Sequence, residues 1–128
     1  MSELYLIPVF ESYSQVATAL LVFIFGYVVI LKVKNNLNIS TKMSSLLYLW
    51  HTFFCVIYMV FTFNYGGDAL AYYSHALNGD TVHLEFGTAM VKYMVNILVN
   101  ILNLSYFGAF LFFNILGSIG LLLFYASL

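Results

Sequence analysis

The stretch "GGDALAYYSHALNGDTVHLE", residues 66–85, holds both aspartates, two of the three histidines and one of the three glutamates of a 128-residue chain that is only 7% charged. If a short helix begins at Asp68, residues 68, 72 and 75 share one of its faces. Asp68, Tyr72 and His75 then form one wall, and Tyr73 and Leu77 point elsewhere. A carboxylate in such a wall can accept a proton from a hydroxyl, while a phenol or imidazole holds the substrate by hydrogen bonds. The plainer reading makes Asp68 a helix start, with its carboxylate capping free N–H groups at the favourable end of the helix dipole.

Two other constellations could carry chemistry. His75, Asp80, His83 and Glu85 bring ligand-type side chains within eleven residues, and on an extended strand His83 and Glu85 face the same way. A divalent metal is the candidate there, against a solvated loop whose polar groups bind water. No other cofactor is indicated. His51, beside Trp50 in an apolar run, is either a proton-relay group or, with Tyr48 and Trp50, part of an interfacial aromatic belt. Cys55, the lone cysteine, reads as a small buried residue.

The elements that must position these groups are membrane elements. With 63% hydrophobic and 20% aromatic residues and a mean hydropathy of +0.97, the chain cannot cover a water-exposed surface of ordinary polarity. The expected fold is an all-α integral membrane bundle, a single domain over residues 1–128. Its spans are expected at about 15–31, 46–63 and 104–128, each near the roughly 20 residues that a bilayer requires. Glu3 and Glu11 precede the first span without a basic residue, unlike a secretory signal peptide, so that span is expected to be retained.

Lys32, Lys34 and Lys42 fall in or beside the connection "KVKNNLNISTK". The positive-inside rule therefore places it in the cytoplasm, with the N-terminus and segment 64–103 outside a cytoplasmic (inner) membrane. Within that outward segment, Met90, Tyr93, Met94, Ile97, Leu98, Ile101 and Leu102 recur at helical spacing beside Lys92, Asn96, Asn100 and Asn103. The pattern is that of an amphipathic helix along the membrane surface; the competing reading extends the third span outward. Asn38 and Asn103 open N-x-S sequons in places poorly suited to a glycan. Gly117, Ser118 and Gly120 offer small surfaces for close helix packing, and Asn114 a hydrogen bond across that contact.

The order of a basic loop, a span, G-G-D-A-x-x-Y-Y-x-x-A from Gly66, F-G-T-x-x-x-x-Y from Phe86 and the apolar "LSYFGAFLFFNILGSIGLLLFYA" resembles the N-terminal region of large bacterial surface-polysaccharide proteins. These are polytopic oligosaccharide-unit polymerases and membrane glycosyltransferases that use polyprenyl-linked sugars. The resemblance covers residues 45–128 and implies a role for Asp68 as base toward an acceptor hydroxyl, or in binding the lipid phosphate and its metal. It implies sugar-contacting roles for Tyr72 and Tyr73, and it matches Gly87 and Thr88. The chain departs from that pattern in having no arginine and no second acid beside Asp68. Relatives have many more spans, so the chain is expected to be one part of a larger protein and inactive alone.

Nucleic-acid binding is excluded by a net charge of −1 without a basic patch. A channel is disfavoured, because few polar side chains, His51, Thr52, Cys55, Thr62 and Asn114 among them, interrupt the apolar spans. Two functions stay open. One is glycan assembly on polyprenyl-linked sugars, with the bilayer and other membrane helices as further partners. The other is a small non-enzymatic subunit packed against a larger membrane complex.

Overall fold

The computed structural model describes residues 12–81, 83 and 86–128. The described chain is all-helical, with α1 (Tyr13–Asn36), α2 (Thr41–Tyr65), α3 (Asp68–Leu77), α4 (Thr88–Asn100) and α5 (Tyr106–Ser127). Helices α1, α2 and α5 are each long and apolar enough to cross a membrane. At 1.5 Å per residue they run roughly 33–37 Å, against about 30 Å of hydrocarbon. Glu3, Glu11 and Glu85 lie outside the described residues.

The three long helices pack against one another. Ile30, Ile39, Tyr48 and Leu122 form a core at the α1–α2 turn end, and Leu98, Leu104 and Ala109 join α4 to α5. Much of the remaining surface is large and apolar: Leu21 and Phe25 on α1 and Trp50, Phe53 and Phe54 on α2 are all exposed. In water such a surface would aggregate, whereas lipid leaves it without penalty. The buried polar side chains Ser44, Thr62, Asn114 and Ser118 point between helices, where each can find a partner. This is a membrane protein.

The two sequons prove to be helix joints. Asn38 and Asn103 both adopt left-handed backbone, with φ of 54° and 51°. In each case the next residue is buried, Ile39 or Leu104, and the following serine caps a helix. Ser40 accepts from the Met43 N–H at 3.2 Å and Ser105 from the Gly108 N–H at 3.0 Å. At the first joint the Ile39 N–H returns to the Lys34 carbonyl at 3.0 Å, closing a Schellman-type stop. The second joint separates α4 from α5, so the third span does not extend outward as one long helix.

Helix α4 presents two apolar faces rather than one. Val95, Leu98 and Val99 are buried, and Val91 packs with them, whereas Met90 and Ile101 of the stripe expected from the sequence turn away, 43% and 73% exposed. Between these faces run the polar residues, and they bind protein. Asn100 donates to the Ala76 carbonyl at 3.0 Å and to Asn96 Oδ1 at 2.8 Å, and Asn96 reaches the Asp80 carbonyl at 3.4 Å. The amphipathic pattern marks a helix held to α3 by its asparagines and one apolar face, with the second apolar face left outward.

Candidate functional site

A groove of about 290 Å³ lies where α2, α3, α4 and α5 meet. Asp68, Ala69, Tyr72 and Tyr73 form its α3 side, Val91 and Val95 its α4 side. Tyr58 and, on α5, Ala109, Phe110 and Phe113 line the rest. The turn before it depends on Gly66 and Gly67, whose φ values of 79° and 150° are open to glycine and unfavourable for other residues. Tyr58 and Phe113 stand seven residues inside the ends of α2 and α5, so the groove reaches about 10 Å down the long helices. Its floor is apolar and aromatic; its mouth, at the exposed Asp68, is charged.

Tyr106 organises the floor. The Thr62 hydroxyl donates to the Met59 carbonyl at 3.1 Å, which leaves its oxygen to accept from Tyr106 Oη at 2.7 Å. The ring so fixed packs edge-on against Tyr73 and Phe110, with centroids 5.4 and 5.0 Å apart. Sequence reasoning did not select Tyr106, because a tyrosine opening an apolar helix looks like an interfacial anchor.

The wall differs from the helical-face expectation. Asp68 and Tyr72 both line the groove, but Tyr73, expected to face elsewhere, lines it too and is 1% exposed. His75 does not. It lies two turns beyond Asp68, about 10 Å along the axis, and its Nδ1 pairs instead with Asp80 at 2.6 Å. On α3 the groove lining ends at Tyr73, within the first half of the helix. Nor does Asp68 cap the helix: Gly67 occupies the N-cap and no side chain bonds there. Among the described residues the Asp68 carboxylate has no hydrogen bond or ion pair. Gly87 (φ 90°) occupies the N-cap of α4 and Thr88 begins that helix, both outside the groove lining.

Lys92, which the sequence places only on the polar side of the amphipathic segment, stands beside the groove wall though outside its lining. Its ammonium stands 5.6 Å from the centroid of the groove-lining Tyr72 ring, a cation–π geometry. Among the described residues no three His, Cys, Asp or Glu side chains gather as metal ligands, and Glu85 of the proposed set lies outside them.

A second polar cluster sits midway along α2 and α5. The Thr52 hydroxyl donates to the Tyr48 carbonyl at 2.7 Å and accepts from Asn114 Nδ2 at 2.8 Å. Asn114 Oδ1 is thereby left as acceptor, so His51 Nδ1, 2.6 Å away, carries the proton. The Ser118 hydroxyl lies 3.4 Å from the same nitrogen. The ring rests on Gly117, where an added Cβ would come within 2.5 Å of His51 Cε1. Trp50 is exposed, but Tyr48 is 1% exposed and donates to the Phe23 carbonyl at 2.9 Å, so Tyr48 belongs to the core and not to a belt. Cys55 is free and half-buried, its thiol 3.5 Å from the Phe110 carbonyl.

Of the small residues on α5, Ser118 is buried and Gly117 meets His51, but Gly120 has nothing within 4 Å of an added Cβ. The contact face runs through Leu111, Ile115, Ser118 and Leu122, and residue 120 lies about 200° round the helix from 118. The close approach that the sequence reading did not identify is Gly26, where a Cβ would meet Tyr48 Oη at 2.5 Å and Ile115 Cγ1 at 2.6 Å. Compared with protein families, curated proteins and solved structures, the chain matches none.

Proposed function

We propose that this protein takes part in glycan assembly, holding a polyprenyl-linked sugar with its chain in the α2–α5 groove and its head at Asp68. The observation that carries this reading is the groove itself: an apolar aromatic channel about 10 Å deep, ending at an exposed carboxylate without a partner among the described residues. A freely soluble substrate has no use for such a floor; an amphipathic one buries its chain there and leaves its head in water. The volume lies at the low end for small-molecule sites and suits the head-proximal part of one chain.

In the reaction this implies, Asp68 takes the proton of an acceptor hydroxyl as that oxygen bonds to the anomeric carbon. The bond from that carbon to the lipid phosphate breaks, and the lipid phosphate leaves with the electron pair. Tyr72 offers a ring or a hydroxyl to the sugar. The setting is a cytoplasmic membrane with α3 and α4 outside, supported by Lys32, Lys34 and Lys42 at the opposite end of α1 and α2. The outward face of α4, with Met90 and Ile101, then rests on the membrane interface. Further spans or a partner complete the site, since one carboxylate and one lysine do not enclose a donor and an acceptor.

The test compares two substitutions in the intact cellular system. Asp68→Asn keeps the shape and loses the base, and is expected to lower glycan output about a hundredfold at unchanged membrane abundance. Tyr72→Phe removes one hydrogen bond and is expected to cost about tenfold at most. Normal output from Asp68→Asn, or output lost only because the protein disappears, would sink the catalytic reading. One observation favours the small-subunit alternative: Gly120 lies open beside the exposed Leu116, Leu123 and Phe124, a surface that a partner helix can approach. In that case Gly120→Leu abolishes activity of the complex and Asp68→Asn does not.

A further inference from the structure

We infer that the mouth of the groove selects a lipid whose head is joined by a single phosphodiester, and that Lys92 is the residue that holds its charge. This rests on reading the groove as a lipid-linked sugar site, and it follows from the charges that the described residues of this chain themselves supply there. Among the described residues the Asp68 carboxylate lines the groove, and the Lys92 ammonium stands 5.6 Å from the centroid of the groove-lining Tyr72 ring. Asp80 is turned to His75, and Lys42 lies at the far end of α2, roughly 35 Å away. The chain has no arginine.

Lys92 is placed for this task. Val91 beside it lines the groove, and its ammonium is held over the groove-lining ring of Tyr72. Among the described residues it forms no ion pair, with Asp68 or any other acid. An ammonium resting on an aromatic face keeps its donors free and loses little freedom when an anion arrives. A phosphodiester brings one negative charge, which Lys92 matches, leaving Asp68 free to act on a hydroxyl. A diphosphate diester brings two, so with Asp68 three negative charges would face one positive charge within a few ångströms. Donors of the second kind call for an arginine fork or several lysines.

The measurement is lipid binding to the full chain in nanodiscs, in chelator so that no divalent ion supplies the missing charge. The probes are a polyprenyl-phosphate monosaccharide, the matching polyprenyl-diphosphate monosaccharide and phosphatidylglycerol. The monophosphate-linked sugar is expected to bind at least about tenfold tighter than the diphosphate-linked one. Lys92→Gln is expected to erase that preference and Lys92→Arg to retain it; should Lys92→Gln fail to fold, the wild-type preference and the Lys92→Arg variant decide. Equal or tighter binding of the diphosphate, or a preference unchanged in Lys92→Gln, overturns the inference and leaves the glycan-assembly reading standing. Phosphatidylglycerol binding as tightly as the monophosphate-linked sugar has the opposite effect: the single-phosphate selection stands and the glycan-assembly reading falls.

Discussion

Gly117 and Gly26 owe their identity to what a methyl group would strike. At Gly117 the obstacle is the His51 ring, whose Nδ1 proton is committed to Asn114; at Gly26 it is the Tyr48 hydroxyl together with Ile115. Neither obstacle can swing away freely, because each is hydrogen-bonded in a contact between long helices. Gly117→Ala and Gly26→Ala are therefore expected to destabilise the bundle by about 1–3 kcal/mol each, and Gly120→Ala, with open space around it, to be neutral or slightly stabilising. Reversible unfolding in mixed micelles checks the ranking; equal effects at residues 26, 117 and 120 would show that close approach does not set these glycines. Asn114→Leu leaves the His51 Nδ1 proton only the more distant Ser118 hydroxyl, 3.4 Å away, and is expected to cost about 0.6–2 kcal/mol by the same assay. From sequence, Gly117 and Gly120 could not be told apart, because both are small residues in one apolar helix. Their difference arises from which side of α5 faces α2, and that depends on contacts with residues more than sixty positions away.

At the scale of elements, the long helices were readable because an apolar run bounded by lysines, asparagines or glycines admits little else. The expected spans 15–31, 46–63 and 104–128 fall within or close to α1, α2 and α5. What composition could not give was the use of each face. The expected stripe of Met90, Tyr93, Met94, Ile97, Leu98, Ile101 and Leu102 contains one residue of the buried contact, Leu98, which is completed by the smaller Val95 and Val99 with Val91 packed beside them, while Met90 and Ile101 are exposed. The asparagines beside them looked solvated and instead hold α3. Likewise the N-x-S sequences are joints, each an asparagine in left-handed backbone followed by a buried residue and a capping serine. Asn38→Gly is expected to be tolerated, whereas Asn38→Val forces a branched side chain into left-handed backbone at about 1–2 kcal/mol. Thermal unfolding of the two variants checks this; similar melting points would mean that φ at residue 38 does not matter.

For the whole molecule, lipid-exposed aromatics surround a bundle whose polar groups face inward, and one groove breaks that surface beside the α3–α4 pair. Asp68 and Tyr72 were legible as its wall because helical spacing fixes azimuth. Tyr106, Lys92 and the absence of His75 were not, since they depend on where α4 and α5 close around α3. The lysine bias predicts a direction for the molecule, testable in a Cys55→Ser background with single cysteines at Asn36 and Asn78. An impermeant thiol reagent added to whole cells is expected to label residue 78 and to spare residue 36, and the reverse would invert the protein. The central claim, that the groove holds a lipid-linked sugar, is tested most directly by placing a benzophenone amino acid at Phe110 in the groove and, for comparison, at the lipid-exposed Phe124. After illumination in cells, the lipids attached at each position are identified by mass spectrometry. The account predicts a sugar-bearing polyprenyl phosphate at residue 110 and bulk phospholipid at residue 124; the same bulk phospholipids at both positions would contradict it.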